Sequence, residues 1–285
     1  MRSFFPAIAR LSASGRLPVY LAAVAVWLMA GTGCTQRPRE VEQAGQSLQT
    51  PSSLPNSQLL AEGDLLATYA DPADSSRKLV VSRPRAAEAG SVEGWRVERR
   101  VERAGKPVRE QGAVQSFRRL ADGTVALVST DEFADGVRTE FDPPMPALPA
   151  EIASGEDRAT TAAFGMVVRP LANLSRVQTS GEATIRIWLA DRQVRTLPGG
   201  QRVDAILIRS VLSAKLGSAQ VTSTTDMWYG VVSSAPGGSR VLIEEHRTEK
   251  VTVFGLPFRS AEQRWLLAEL GGGKLVEAVS PGPAR

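Results

Sequence analysis

One cysteine and one histidine, Cys34 and His246, are all that this chain of 285 residues offers of the side chains that most often bind metals or carry covalent catalysis. A single thiol makes no internal disulfide, and with a single imidazole it falls short of the cysteine and histidine sets that hold structural zinc. His246 stands in Glu244-Glu245-His246-Arg247. On a strand it shares a face with Glu244 and Thr248, which reads as a solvated polar face, and no metal partner is visible by spacing. No G-x-S-x-G elbow presents a serine nucleophile, and no glycine-rich phosphate loop occurs. Asp71-Pro72-Ala73-Asp74 and Asp122-Gly123 do not complete an EF-hand calcium loop. Asp131, Glu132, Asp135, Glu140 and Asp142 cluster in sequence, but around hairpin turns, where carboxylates are ordinarily solvated. No catalytic residue, metal or cofactor is expected.

The first part of the chain also lacks an apolar run long enough to cross a bilayer. Leu17 to Met29 is apolar and uncharged over 13 residues. That is short of the roughly 20 of a spanning helix and inside the roughly 7 to 15 of a secretory signal. Arg2, Arg10 and Arg16 precede it with no acid, and Ala30, Gly31, Thr32 and Gly33 lead to Cys34. This resembles the lipobox of bacterial lipoproteins, with Gly31 where leucine is usual. The resemblance implies a signal peptide over residues 1–33 and acylation of Cys34. An exported chain usually holds paired cysteines or none, so a lone cysteine at this place fits an acylation site. Several acyl chains, at about 0.8 kcal/mol per buried methylene, give a stable anchor where one chain is marginal. By resemblance to proteobacterial lipoproteins, Thr35 rather than aspartate after the cysteine implies the outer membrane, facing the periplasm, over the inner membrane.

The formal charge of +4 and pI near 9.6 invite a nucleic-acid reading, but the three signal arginines account for most of it. Beyond residue 33 the chain holds 31 basic and 30 acidic residues. A near-neutral domain lacks the footprint of a phosphate-backbone binder, so nucleic acid is excluded as a partner. Residues 34–57, rich in Gln, Ser and Pro without apolar periodicity, read as a flexible tether. A single β domain follows over 58–270, and 271–285, ending in Pro281-Gly282-Pro283, reads as a loose tail.

From Leu79 onward the apolar period is two, punctuated by turn signals, which predicts a mainly antiparallel β fold with little helix. Curved sheet, open barrel and sandwich of hairpins all fit that pattern. Trp95, Val97 and Val101 alternate with Arg96, Glu98 and Arg100, and Ala104-Gly105-Lys106-Pro107 supplies a turn. A strand from about Val108 to Leu120 returns. Asp122-Gly123 and Asp135-Gly136 are hairpin signals because both residue types tolerate positive φ. Ala183, Ile185, Ile187 and Leu189 fall on one face of a half-buried strand, with Thr184, Arg186 and Trp188 on the other. Ile206-Leu207-Ile208 implies burial on both faces of the next strand. Strands at about Ala219 to Val232 and Arg240 to Phe254 complete a series whose tight turns require antiparallel neighbours. Two segments carry helix signals. Pro55 to Leu66 has apolar residues at 59, 60, 65 and 66, whereas Ser260 to Leu270 pairs a capping-box spacing with an equally good strand pattern.

The strings FDPPMPALPAEIASG (141–155), RTLPGGQRVDAILIRS (195–210) and TTDMWYGVV (224–232) together resemble periplasmic TapB-type domains. That resemblance covers about Val137 to Phe254 and implies a LolA-like open barrel or curved antiparallel sheet. The prolines suit a crossing between sheets, where backbone donors need no ladder partner. Trp188, Trp228 and Tyr229 are the candidate residues lining an apolar ligand site. The expected function is therefore non-enzymatic: a protein held to the membrane by acyl chains on Cys34 that binds a lipid, another apolar ligand or an envelope protein through a curved sheet. A structural envelope scaffold without a ligand cavity is the alternative, and a carboxylate-dependent hydrolase the least favoured.

Overall fold

The structure, a computed structural model, describes residues 46–59, 65–83, 94–108, 111–198, 200–232, 235, 240–271 and 273–274. Cys34, the signal segment and most of the C-terminal tail lie outside the described residues. The first strands are β1 (Ser53–Pro55), β2 (Leu65–Asp71), β3 (Asp74–Arg83), β4 (Gly94–Arg103), β5 (Lys106–Pro107) and β6 (Ala113–Arg119). There follow β7 (Val125–Glu132), β8 (Val137–Leu148), β9 (Glu151–Ala153), β10 (Thr160–Pro170) and β11 (Thr179–Thr196). The last are β12 (Arg202–Leu216), β13 (Ala219–Val231), β14 (Arg240–Val253), β15 (Leu256–Leu270) and β16 (Gly273–Lys274).

Twelve of these strands close into an antiparallel barrel, in the order β14-β13-β12-β11-β10-β8-β7-β6-β4-β3-β2-β15, with β15 returning to β14. Every neighbour is next in the chain apart from small excursions, except where the last long strand meets the first at Leu267↔Tyr69. Closure gives every barrel strand two ladder partners, which disposes of the exposed edges an open sheet leaves. Where the alternation left curved sheet, open barrel and sandwich as readings, the sheet forms a barrel that is closed rather than open. β5 and β16 are short additions beside β4 and β15.

The turn chemistry sits where the sequence places it. Gly123 (φ 87°) and Gly136 (φ 61°) occupy the hairpins before β7 and β8, and Gly217 (φ 59°) the one before β13. Pro143 and Pro144 fall inside β8, not in a crossing between two sheets. There the β7 ladder jumps from Leu127↔Met145 to Ser129↔Glu140, leaving 141–144 without partners on that side. Two residues without a backbone donor thus occupy the stretch that needs none. Gly165 has a similar positional reason: a Cβ there would stand 3.1 Å from the Asp142 carbonyl of β8.

Two expectations are corrected. Among the described residues of 55–66, the helix signal corresponds to a 3-10 turn at Asn56–Gln58, and Leu65 and Leu66 already belong to β2. Residues 46–57, assigned to the tether, lie on the barrel: Ser47 bridges Gln193, and β1 pairs with β9. Leu54 is buried in the main core, and the Asn56 side-chain amide donates to the carbonyls of Gly123 (3.0 Å) and Leu148 (3.1 Å). Polar composition suggested free chain, but one buried leucine and one anchoring amide hold this segment over a barrel mouth. The open question at 260–270 resolves as strand, since Leu266 and Leu267 pair with Ala70 and Tyr69.

Candidate functional site

Period-two alternation puts one side chain in two inside the barrel, and in β11 these are the expected Ala183, Ile185, Ile187 and Leu189, all buried. With Ile206, Ile208, Val125, Leu127, Phe141 and Phe164 they form the main apolar cluster. The Phe141 and Phe164 rings meet edge to face at 5.8 Å, and Trp95 stacks on Phe117 at 6.0 Å. A second cluster joins Tyr69, Leu79, Val101, Trp265 and Leu267 to Leu207, Trp228 and Ile243. Ile206 and Leu207 belong to different clusters, so β12 is buried on both faces as its apolar run implied.

Side chains do not fill the interior. A cavity of about 310 Å³ runs between walls that include Phe117, Leu127, Phe141, Met145, Met166, Ile185, Leu212, Met227, Tyr229 and Trp265. That lies at the lower end of the range of about 300–1,000 Å³ typical of small-molecule sites. Leu59, from the N-terminal segment, also lines it.

A charged group is set into this apolar space. Arg99 on β4 reaches Glu245 on β14 with a forked pair, Nη2 to Oε1 at 2.9 Å and Nη1 to Oε2 at 3.1 Å. Three strands separate β4 from β14 around the wall, so the pair ties two parts of the barrel that share no ladder. Arg247, buried, donates from Nε to Ser223 Oγ at 3.0 Å, and its Nη2 is 4.0 Å from Glu249. Burial pushes the Glu249 carboxyl up to about 7 against the pull of Arg247 and Arg259. Burial likewise pushes Glu132 up to about 8, opposed by Arg247 and Arg99. The Tyr69 and Tyr229 hydroxyls are raised by burial and then by the Glu245 charge, so both stay protonated.

The residues singled out from sequence divide between the two faces. Tyr229 lines the cavity, whereas Trp188 and Trp228 do not. Trp188 lies beneath Arg186, 5.6 Å from guanidinium carbon to ring centre, and Trp228 beneath Arg195 at 4.4 Å, both as cation–π contacts. His246 is half-buried, with Nε2 3.0 Å from Glu262 on β15. The sequence cluster of acids is dispersed: Asp131 pairs with Arg138, Glu140 with Arg169, Asp142 is exposed, and Glu132 alone joins the buried group. Among the described residues no group of three His, Cys, Asp or Glu could hold a metal ion.

Sequence reasoning missed Arg99, Glu245, Arg247 and Glu249. A signal existed: β14 is polar on both faces, with His246, Thr248 and Lys250 alternating with Glu245, Arg247 and Glu249. One of those faces must be covered in a closed barrel.

No protein-family model and no curated protein matches the chain. Two solved structures are similar. One, from Bacteroides fragilis, is described as a presumed exported protein with a YmcC-like fold. It is 14% identical, covering 74% of this chain and 97% of its own at a TM-score of 0.38. The other, from Parabacteroides distasonis, is described as a presumed lipoprotein. It is 10% identical, covering 75% and 97% respectively at a TM-score of 0.42. These are distant likenesses. The three segments that resemble TapB-type domains fall on β8 to β9, on the β11–β12 hairpin and on β13.

The outer face is built the opposite way from the interior. Arg209 and Asp226 stand directly across from each other on β12 and β13 and are bonded at 2.5 Å. Arg195 and Arg264 likewise converge on Glu244. A barrel that crosses a bilayer carries an apolar band outside and polar groups within. This one has charge outside and an apolar cavity within.

Proposed function

We propose that the chain is a non-enzymatic lipoprotein of the cell envelope, held to a membrane through Cys34, whose barrel binds an apolar ligand in its interior. One observation carries the reading: a largely apolar cavity of about 310 Å³ inside a barrel whose outer face carries ion pairs such as Arg209–Asp226 and Arg195–Glu244. Burying ligand surface against such walls contributes about 25 cal/mol per Å². The lipobox-like segment supports the anchor, and Thr35 supports the outer membrane. The scattered ion pairing of the sequence-clustered acids argues against a carboxylate-dependent hydrolase.

Filling the cavity tests the reading. Ala214 lines it beside Val221, so Ala214→Phe places a ring in the space a ligand would take. The full chain in lipid nanodiscs should bind 1-aminoanthracene above the background of empty discs. The Ala214→Phe chain should lose most of that excess while melting within a few degrees of the parent. Equal excess binding by both chains, or none by the parent, would contradict an interior site and favour a scaffold.

A further inference from the structure

The polar part of the cavity narrows the class of ligand, on the reading that the cavity is the binding site. Glu249 lines it with a side chain only 1% exposed, and neither carboxyl oxygen accepts a hydrogen bond from any described residue. Arg247, the guanidinium that pulls on it most, stands at 4.0 Å, beyond hydrogen-bond reach. Leaving a buried acceptor without a donor costs about 1–3 kcal/mol and more for a charged group, so native interiors keep few. The position is also a boundary. In ladder register the inward row on one side of Glu249 is Val221 and Val251, and on the other it is Thr225 and Arg247. An unpartnered acceptor thus sits where an apolar wall gives way to a charged one, the place where the polar end of an amphiphile would lie.

We propose that the barrel takes an amphiphile with an uncharged, hydroxyl-bearing headgroup on an alkyl chain, and that Glu249 accepts hydrogen bonds from that headgroup. Charge selects against the alternatives. An alkylammonium would be set against Arg247, with Arg99 close behind, while a carboxylate or phosphate would be set against Glu249 and Glu245. A hydroxyl group donates to Glu249 and accepts from a guanidinium without adding charge to the buried group. The carboxyl of Glu249, pushed up by burial to about 7, is itself poised to share a proton in such a contact.

Photolabelling tests this. The full chain in phosphatidylcholine nanodiscs is offered the same diazirine-tipped dodecyl chain as a monoacylglycerol, an alkyl glucoside, a free acid and an alkylammonium. Labelled peptides are then mapped by mass spectrometry. Either uncharged head should label the wall peptides carrying Phe117, Leu127 and Phe141 about tenfold more than the charged heads, and their ratio separates acylglycerol from glycolipid. Glu249→Leu should lower that labelling about tenfold, the worth of one hydrogen bond to a charged group, whereas Glu249→Gln, which keeps an acceptor, should retain most of it. Equal or stronger labelling by the acid or the ammonium overturns the headgroup class while leaving an apolar interior site standing. Unchanged labelling of a folded Glu249→Leu chain overturns the role of Glu249. Absence of wall labelling by all four probes overturns the interior site itself. Should Glu249→Leu fail to fold, the comparison of heads on the unaltered chain still decides.

Discussion

Glu245 ties two sides of the interior together. Its two oxygens take the fork of Arg99, and its charge helps to hold the Tyr69 and Tyr229 hydroxyls protonated. Removing one partner of a buried pair strands the other charge, which costs about 3–5 kcal/mol. Glu245→Ala is therefore expected to lower unfolding stability in urea by about 3 kcal/mol, and Glu245→Ala with Arg99→Met to recover part of it. A change below about 1 kcal/mol in the single variant would mean that the pair is solvated. Glu132 and Glu249 set the pH response. Both have pKa values raised above the ordinary 4.5, so the fold binds their protons more tightly than the unfolded chain does. That contribution is complete below the ordinary value and is lost as pH rises through about 7 and 8. The thermal midpoint should accordingly fall between about pH 5 and pH 8.5, and Glu132→Gln should flatten the slope. A midpoint that rises over that interval in the parent chain would contradict the raised values.

At the scale of elements, hairpins record both what was readable and what was not. In a meander, alternate turns share an end, so the β7–β8, β10–β11 and β14–β15 turns lie together. Of the eight exposed large apolar side chains among the described residues, Phe133, Leu174, Val177, Phe254, Leu256 and Phe258 sit at or beside these three turns. Phe254 also adopts φ 51°, followed by Gly255 at φ 78°, where such turns favour asparagine and glycine. Its ring is 81% exposed and gains no packing to offset the strain. Phe254→Asn should raise the thermal midpoint by a few degrees, corresponding to about 1 kcal/mol. An unchanged or lower midpoint would show that the ring contributes to the fold. Asp122-Gly123 and the alternation of β11 were legible because local φ and periodicity specify them. β10 was not singled out, although Phe164, Met166 and Val168 alternate inward, because Ala163 and Val167 make its outer face partly apolar as well. On β14 only the face of Glu244, His246 and Thr248 was weighed. The opposite face, with Glu245, Arg247 and Glu249, gains its meaning only when Arg99, 146 residues away from Glu245, pairs with that carboxylate.

For the molecule as a whole, local turns predicted the hairpins but could not distinguish a sheet that closes from one that stays open. Closure depends on Leu266 and Leu267 meeting Ala70 and Tyr69, a contact between the two extremes of the domain. Size then follows from strand number. Eight-stranded barrels are about wide enough to fill with side chains or to hold one small ligand. Twelve strands enclose more, and here large side chains together with the Arg99–Glu245 crossing reduce the space to about 310 Å³. The polar exterior, the apolar cavity and the lipobox-like N-terminus are what support the proposed reading of a barrel held to a membrane around an apolar ligand. Native mass spectrometry of the full chain, released from its own membrane in amphipol and followed by solvent extraction, asks directly whether it holds such a ligand. The account predicts a discrete added mass on the folded chain, retained at low activation energy and recovered as an apolar compound on extraction. A folded chain that flies at its bare mass and yields no such compound would contradict it.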